Sequence, residues 1–269
     1  MILKFLSIIV SIFSSIFHFN NLYKTRFSDI SMSDNRVFWE SIDMDVFREL
    51  AKGADDDCCR DMEIAYPFIK DVGSVLELGS GYGRCLNYLI KRDFDGEIHG
   101  VDYIDEFVGY LRGRFSPRVV IHNQDVTQMK LDRKFDSILW MGEGVLGFDY
   151  NQQVKCLKRC RNMLNKNGLL IIDSLDIDVN GVKSFEEGGR DVCAEYNEMP
   201  FNGRFSDEID FAHLSDECGF NPCGFRAIKY DVMMGIEGEG RGGSSEVRDK
   251  SNVWKSDELV EKVIYVMRG

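Results

Sequence analysis

The feature that most constrains the fold of this chain is a glycine-rich turn directly after a short apolar run. Val75 to Arg84 read VLELGSGYGR, so a strand pattern gives way to a helix pattern within ten residues. Glycines at such a turn let the backbone bend tightly and approach a ligand without a Cβ in the way. The helix that follows presents free N–H groups at its first turn. The segment therefore predicts a strand, a turn and a helix arranged to bind an anionic group.

The spacing of the glycines separates two kinds of nucleotide site. A dinucleotide site has the pattern G-x-G-x-x-G. Here the pattern from Gly79 through Gly81 and Gly83 is G-x-G-x-G, and the sixth position is Arg84. This spacing disfavours NAD as the ligand.

Beyond Asp71, short apolar runs alternate with helical patterns, which predicts an α/β fold with a mostly parallel sheet and crossover helices. One predicted helix follows Asp149 as its N-cap, and another runs over 206–218 with Gly219 as its stop. The segment 177–205 interrupts the alternation, and we interpret it as a lid-like insertion. The seven predicted strands are Ser74–Leu78, Ile98–Asp102, Arg118–His122, Ser137–Met141, Gly168–Asp173, Phe225–Asp231 and Val263–Arg268.

Acidic residues stand at the ends of the second and third predicted strands. Asp102 ends the second strand, and a carboxylate there can accept hydrogen bonds from both hydroxyls of a ribose. Asp125 follows the third strand, where it can accept from an adenine amino group while Val126 supports the ring. Open α/β sheets bind ligands at the carboxyl ends of their strands, so these residues are expected to share a site with the glycine-rich turn.

In these motifs the chain resembles the class I S-adenosylmethionine-dependent methyltransferase superfamily. Glu77 to Gly83 is similar to its first motif, Asp102 to its ribose-binding acid, Asp125 to its adenine-contacting position, and Phe135 to Gly142 to its fourth-strand motif. The resemblance implies a seven-stranded Rossmann-like sheet with a reversed C-terminal hairpin, helices on both faces, and S-adenosyl-L-methionine as cofactor. The cofactor-binding residues that it implies are Glu77, Gly79, Ser80, Gly81, Gly83, Asp102, Tyr103, Asp125, Val126 and Trp140. Tyr103 either stacks on the adenine or packs in the core.

The end of the fourth strand is expected to face the acceptor. Glu143 is the candidate catalytic residue there, able to handle the proton of an amine or hydroxyl, and the alternative is that it caps the following turn. His122 and His213 are further candidate bases, with a core position as the alternative. No Asn/Asp-Pro-Pro-aromatic tetrapeptide occurs, which argues against the exocyclic-amine nucleic-acid chemistry of the superfamily.

The composition disfavours some classes of partner and ligand. A net charge of −12 disfavours nucleic acid, because nucleic-acid binders carry a basic footprint. The eight cysteines lack the C-x-x-C pairs of a structural zinc site, so no metal is expected. Cys85, Cys156 and Cys160 fall within predicted helices, which favours reduced thiols over disulfides.

The N-terminal segment 1–31 forms an apolar extension that is an anchor, a signal or a non-native start. It is marginal in length for a membrane span, although membrane contact through 1–19 stays open. Residues 32–269 are interpreted as the methyltransferase domain, with N-terminal cover helices over 32–70. We expect a cytoplasmic protein, since a secreted enzyme has little access to an intracellular sulfonium cofactor.

Three functions remain open at this point. The first is transfer of a methyl group to a nitrogen or oxygen of a small molecule. The second is a protein methyltransferase, whose peptide groove would involve 177–205. The third is a cofactor-binding partner protein without transfer activity.

Overall fold

The computed structural model describes residues 35–41, 59–175, 191–196, 199–204, 206–233 and 259–269. The predicted N-terminal extension 1–31 and the first half of the predicted insertion lie outside the described residues. No helix in the described part of the chain has the length and apolar character needed to cross a bilayer.

The described elements alternate as the sequence predicts. In chain order they are α1 (Arg36–Ser41), α2 (Arg60–Ile69), β1 (Ser74–Leu78), α3 (Arg84–Lys91), β2 (Glu97–Asp102), α4 (Asp105–Phe115), β3 (Val119–Asn123), β4 (Phe135–Trp140), a 3-10 turn (Gly144–Gly147), α5 (Tyr150–Met163), β5 (Leu164–Leu175), β6 (Asp191–Tyr196), β7 (Met199–Arg204), α6 (Glu208–Glu217), β8 (Asn221–Met233) and β9 (Leu259–Arg268).

Seven of these strands form one sheet in the order β3-β2-β1-β4-β5-β9-β8. Strands β1 to β5 pair in parallel, whereas β9 is antiparallel to both β5 and β8. The expected sheet with a reversed C-terminal hairpin is therefore confirmed. The order reverses at β1, whose neighbours β2 and β4 lead in opposite directions, and such a switch point is where open α/β sheets bind ligands.

Helices cover both faces of the sheet because apolar side chains alternate along each strand. Val75, Leu139 and Ile171 belong to the cluster that buries residues of α2, α3 and α4. Leu76 and Ile138 belong to the cluster that buries residues of α5 and α6. This arrangement leaves the strand ends and the loops that follow them to form the site.

Two local predictions differ from the structure. Within the segment 177–205, which the sequence suggested was irregular, β6 and β7 pair as an antiparallel hairpin. Helix α6 begins two residues later than predicted, because the side chain of Asp207 accepts a hydrogen bond from the backbone N–H of Asp210 and caps the helix. Gly219 follows α6 with a φ of 77°, as expected for a glycine that stops a helix.

Candidate active site

The glycine-rich turn has the backbone that its sequence requires. Gly79, Gly81 and Gly83 have φ angles of 63°, 50° and 83°, a region that residues with a Cβ rarely adopt. A Cβ at Gly83 would overlap the ring of Phe115, whereas a Cβ at Gly79 would meet nothing within 4 Å. Gly83 is therefore needed for close packing, and Gly79 borders open space from which a ligand can approach.

Asp102 joins the end of β2 to this turn. Its Oδ2 accepts a hydrogen bond from the N–H of Gly81 at 2.8 Å, and its Oδ1 accepts from the N–H of Ile104 at 3.0 Å. The side chain is buried, and this burial raises its pKa. The carboxylate thus fixes the turn against the second strand, in addition to any bond that it makes to a ligand.

Glu77 is a buried carboxylate beneath the turn. Burial raises its pKa to about 7, although hydrogen bonds from Cys85 and Ser80 oppose the shift. Its Oε2 has no hydrogen-bond donor among the described residues. Ser80 is also buried, and its backbone N–H donates to the carbonyl of Val101 at 3.0 Å. The orphaned oxygen of Glu77 is a place where a ligand donor fits, because a buried acceptor without a donor is costly.

Helix α1 lies against the end of β2 and the residues after β3. The contact is made by Arg36, which the sequence analysis did not single out. The Arg36 guanidinium lies 4.7 Å from the centroid of the Tyr103 ring and 3.6 Å from Oδ2 of Asp125. Trp39 packs against the small cluster of Ile104 and Phe107. Tyr103 is thus partly covered from the α1 side.

Asp125, Val126 and Trp140 have roles within the protein. Oδ1 of Asp125 accepts from the N–H and the hydroxyl of Thr127, both at 2.7 Å, and so closes a turn. Val126 is buried in the cluster beneath α5. The Trp140 ring is 1% exposed and packs edge-on against Phe148 at 5.3 Å, so the structure directs it into the core and not toward a cleft.

Five charged side chains meet at the carboxyl end of the sheet, and we call them the buried charge cluster. Glu143, Asp173 and Lys262 come from the residues after β4, the end of β5 and strand β9. Lys262 forms an ion pair with Glu143, and its Nζ lies 3.7 Å from Oδ2 of Asp173. Asp61 accepts two hydrogen bonds from Arg84, at 2.6 and 2.5 Å.

The cluster is a dense arrangement of interacting groups. Asp61, Glu143 and Asp173 all raise the pKa of Lys262, against its desolvation. Burial raises the pKa of Asp173 to about 7, and the hydroxyl of Tyr230 donates to its Oδ1 at 2.6 Å. Only Glu143 was singled out from the sequence. Two sequence signals would have pointed to Lys262 and Asp173: a lysine within the apolar run of β9 and an aspartate near the end of the apolar run of β5.

Glu143 has a strained backbone, with a φ of 52° directly after Gly142 at 68°. Its side chain makes no capping hydrogen bond to the 3-10 turn that it precedes. Non-glycine residues persist in this conformation only when their surroundings hold them there, and such positions concentrate at functional sites. The ion pair with Lys262 supplies that restraint.

The two histidines do not join the cluster. Nε2 of His122 lies 2.9 Å from Nδ1 of His99, and the two rings stack with centroids 5.3 Å apart. Nε2 of His99 lies 2.9 Å from the Arg133 guanidinium, so this pair forms a network between β2 and β3. His213 is exposed on α6.

Comparison with known sequences finds similarity to methyltransferases. Residues 75–168 match a sequence family described as a methyltransferase domain. The Bacillus subtilis (strain 168) protein described as the uncharacterized methyltransferase YdaC is 25% identical over 150 residues, which cover 54% of this chain and 78% of that protein.

Solved structures share the fold at low identity. A SAM-dependent methyltransferase from Methanosarcina mazei has a TM-score of 0.56 at 12% identity, with 76% of this chain and 96% of that chain covered. The 1,6-didemethyltoxoflavin-N1-methyltransferase of Burkholderia thailandensis has a TM-score of 0.56 at 15% identity, with 90% and 92% covered. The amino pentose methyltransferase CalS10 of Micromonospora echinaspora has a TM-score of 0.54 at 12% identity, with 83% and 96% covered.

The seven-stranded sheet with its antiparallel β9 and its glycine-rich first turn is the class I methyltransferase fold. Residues 75–168 thus match a methyltransferase-domain family, and the chain shares its fold with S-adenosylmethionine-dependent methyltransferases.

Proposed function

We propose that the chain transfers a methyl group from S-adenosylmethionine to a nitrogen or oxygen atom of a small molecule. The observation that carries the proposal is the neighbourhood of two features at one edge of the sheet. The glycine-rich turn with Asp102 can hold the cofactor, and the buried charge cluster around Glu143 can bind a polar acceptor beside it.

The residues around the turn fit the amino-acid part of the cofactor. The ammonium group of S-adenosylmethionine is a charged donor of the kind that Oε2 of Glu77 lacks among the described residues. The open space beside Gly79 allows a close approach to the backbone. We assign this part of the cofactor site to Glu77, Gly79, Ser80, Gly81 and Gly83.

We assign the nucleoside part to the ends of β2 and β3. Asp102 has lone pairs beyond the two that its backbone donors use, so it can also accept from ribose hydroxyls. Tyr103 and Asp125 are assigned to the adenine, with Val126 behind them. Only the backbone of Trp140, at the end of β4, is assigned to the cofactor site, because its ring is buried.

When bound, S-adenosylmethionine supplies a methyl group on a positively charged sulfur. The task of the protein is to hold the acceptor aligned with that group and to exclude water. Glu143 is our candidate for accepting the proton that an amine or hydroxyl acceptor gives up, with Lys262 holding its carboxylate in place.

Two observations support a small acceptor. The side chains of Glu143, Asp173 and Lys262 are between 0% and 8% exposed, so only a small group reaches them. Two proteins with the same fold are described as methyltransferases of an amino pentose and of 1,6-didemethyltoxoflavin, both small molecules.

We also propose that 177–205 acts as a lid and that the activity is cytoplasmic.

Methyl-labelled S-adenosylmethionine incubated with the full chain and fractionated lysate tests this function. Label in the small-metabolite fraction supports the proposal. Label in protein would replace it with a protein methyltransferase, and an unlabelled lysate would leave a cofactor-binding partner protein. The Asp102→Ala variant is the control that separates transfer by this chain from transfer by lysate enzymes.

A further inference from the structure

Among the residues that the structure describes, the buried charge cluster contains one more carboxylate than cation. Its members comprise three carboxylates, Asp61, Glu143 and Asp173, and two cations, Arg84 and Lys262. Buried ions are stable only when they are paired, because removal from water costs each of them several kcal/mol. The cluster therefore has room for one more positive charge.

The unmet charge is centred on Asp173. Its side chain is fully buried, and its Oδ1 is occupied by the hydroxyl of Tyr230. Its Oδ2 has no hydrogen-bond donor in the described part of the chain, and the nearest cation, Nζ of Lys262, is 3.7 Å away. The raised pKa of this carboxyl is the behaviour expected when a proton substitutes for an absent cation.

The position of the buried charge cluster in the sheet favours a role in binding the acceptor over a role in binding the cofactor. Asp173, Tyr230 and Lys262 stand on β5, β8 and β9, whereas the proposed cofactor residues stand at the ends of β1, β2 and β3. The strand order sets β5 two positions from β1, a separation of about 10 Å at the usual spacing of strands. A cation at Asp173 is therefore expected beside the cofactor and not within it.

Burial of the cluster is comparable to that of the proposed cofactor residues. Glu143 and Lys262 are both 7% exposed, while Glu77 and Asp102 are 4% and 5% exposed. A cleft that admits a ligand to Asp102 and Glu77 is accordingly no less open at Glu143 and Lys262, and Lys262 borders the fully buried Asp173.

We propose that the buried charge cluster is the subsite for a protonated amine, so that the acceptor of this methyltransferase is a basic amine methylated on nitrogen. This inference rests on the proposed function and names its substrate class. The ammonium N–H donates to Oδ2 of Asp173, which completes the charge balance of the cluster. That N–H bond breaks and an O–H bond forms on Asp173, so for a protonated amine Asp173 takes the place of Glu143 as the proton acceptor, and the nitrogen keeps the free electron pair that methylation requires.

Three probes of one shape and different charge test the subsite: benzylamine, benzyl alcohol and benzoate. Their binding to the full chain saturated with S-adenosylhomocysteine is measured by titration calorimetry and saturation-transfer NMR. We expect benzylamine to bind best and benzoate worst. Asp173→Asn is expected to weaken benzylamine binding roughly tenfold, the loss of a charge-assisted bond, and to leave benzyl alcohol unchanged.

Asp136→Asn is the matched control, because Asp136 lies at the opposite end of β4 and accepts from the hydroxyl of Ser74 at 3.1 Å. It is expected to leave the binding of all three probes unchanged. Failure of wild-type protein to prefer benzylamine, including failure to bind it at all, overturns the inference whatever the variants do.

A second measurement separates the cofactor from the acceptor. If the surplus negative charge serves the sulfonium, Asp173→Asn will weaken the binding of S-adenosylmethionine but not that of S-adenosylhomocysteine, whose sulfur is neutral, and this result also overturns the inference. Failure of the proposed function gives a different result. In the incubation with methyl-labelled S-adenosylmethionine, label would then appear in protein or in neither fraction. A benzylamine preference is measured without turnover and is independent of that outcome.

Discussion

Asp102 has two tasks, and the structure makes them separable by measurement. Its carboxylate holds the backbone N–H groups of Gly81 and Ile104 and is also our candidate for the ribose hydroxyls. Asp102→Ala is expected to weaken cofactor binding by about 1–3 kcal/mol, because a charged acceptor is lost. It is also expected to lower the free energy of unfolding, since two backbone donors lose their acceptor.

Calorimetry with S-adenosylhomocysteine and urea unfolding measure the two effects. Asp105→Ala is the control, because Asp105 is exposed nearby. In the described part of the chain its side chain accepts a hydrogen bond from the side chain of Asn123. Cofactor affinity that stays at the wild-type level in Asp102→Ala, with the fold intact, would remove Asp102 from the site. Complete unfolding of the variant would make its role structural.

The His99 and His122 pair predicts a pH dependence of stability. Burial first, and then the Arg133 charge, lower the pKa of His99 to about 4 from an ordinary 6.5. Between these values the unfolded chain binds a proton at His99 and the native chain does not, so stability falls as pH decreases through that window. Above pH 6.5 His99 is neutral in both states, so this loss of stability does not occur there.

Comparison of wild type with His99→Gln isolates this effect. Glu77 and Asp173, whose pKa values are raised, change stability in the opposite direction, so the slope of the wild type alone is not diagnostic. Urea unfolding at several pH values between 7.5 and 4.5 is expected to give the variant a smaller loss of stability on acidification. Parallel curves for the two proteins would refute the assignment.

Sequence reasoning at the residue scale found the groups that are contiguous with a motif and missed those that meet only through the fold. The glycine-rich turn and Asp102 were identified because their spacing alone carries information. Asp61, Asp173 and Lys262 come from positions far apart in the chain, and only the pairing of β5, β9 and α2 brings them together. No local pattern encodes that meeting.

At the scale of elements, the capping of α5 is a local device with a testable energy. The side chain of Asp149 accepts from the N–H of Gln152 at 2.8 Å, and the Gln152 side chain accepts from the N–H of Asp149 at 3.0 Å. Asp149→Ala is expected to lower the free energy of unfolding by about 1 kcal/mol in urea denaturation. Lys155→Ala, on the exposed face of the same helix, is the control and should change stability by less than about 0.5 kcal/mol. Equal effects of the two substitutions would mean that the cap contributes nothing.

The strands of the large sheet were predictable because buried parallel strands read as apolar runs. All seven predicted runs lie in observed strands, with ends that differ by a few residues. The β6 and β7 hairpin was missed because 191–204 is polar and contains Pro200, which argues against a central strand. A two-stranded hairpin has free outer edges, so proline is tolerated there.

At the scale of the whole molecule, charge and fold address different questions. The net charge of −12 disfavours a polyanionic acceptor and agrees with a cationic one, since an acidic protein attracts positively charged ligands from a distance. The fold is shared with S-adenosylmethionine-dependent methyltransferases and leaves the acceptor open. The acceptor class is argued only from the buried charge cluster, a feature of packing that neither composition nor fold class predicts.

The last prediction concerns the apolar extension 1–31, which we expect to be dispensable for folding and cofactor binding. Every strand of the large sheet and every proposed cofactor residue lies beyond Met32, and so does α1, which contacts Asp125 through Arg36. A chain that begins at Met32 is therefore expected to match the full chain in melting temperature and in affinity for S-adenosylhomocysteine. For a domain of this size about 1 kcal/mol corresponds to roughly 2–4 °C, so calorimetry resolves even a modest loss. A control truncation that begins at Glu40 removes Arg36 and Trp39, and it should weaken cofactor binding because the cover over Tyr103 is lost. Insolubility of the Met32 chain, or a melting temperature several degrees lower, would mean that the extension packs on the domain.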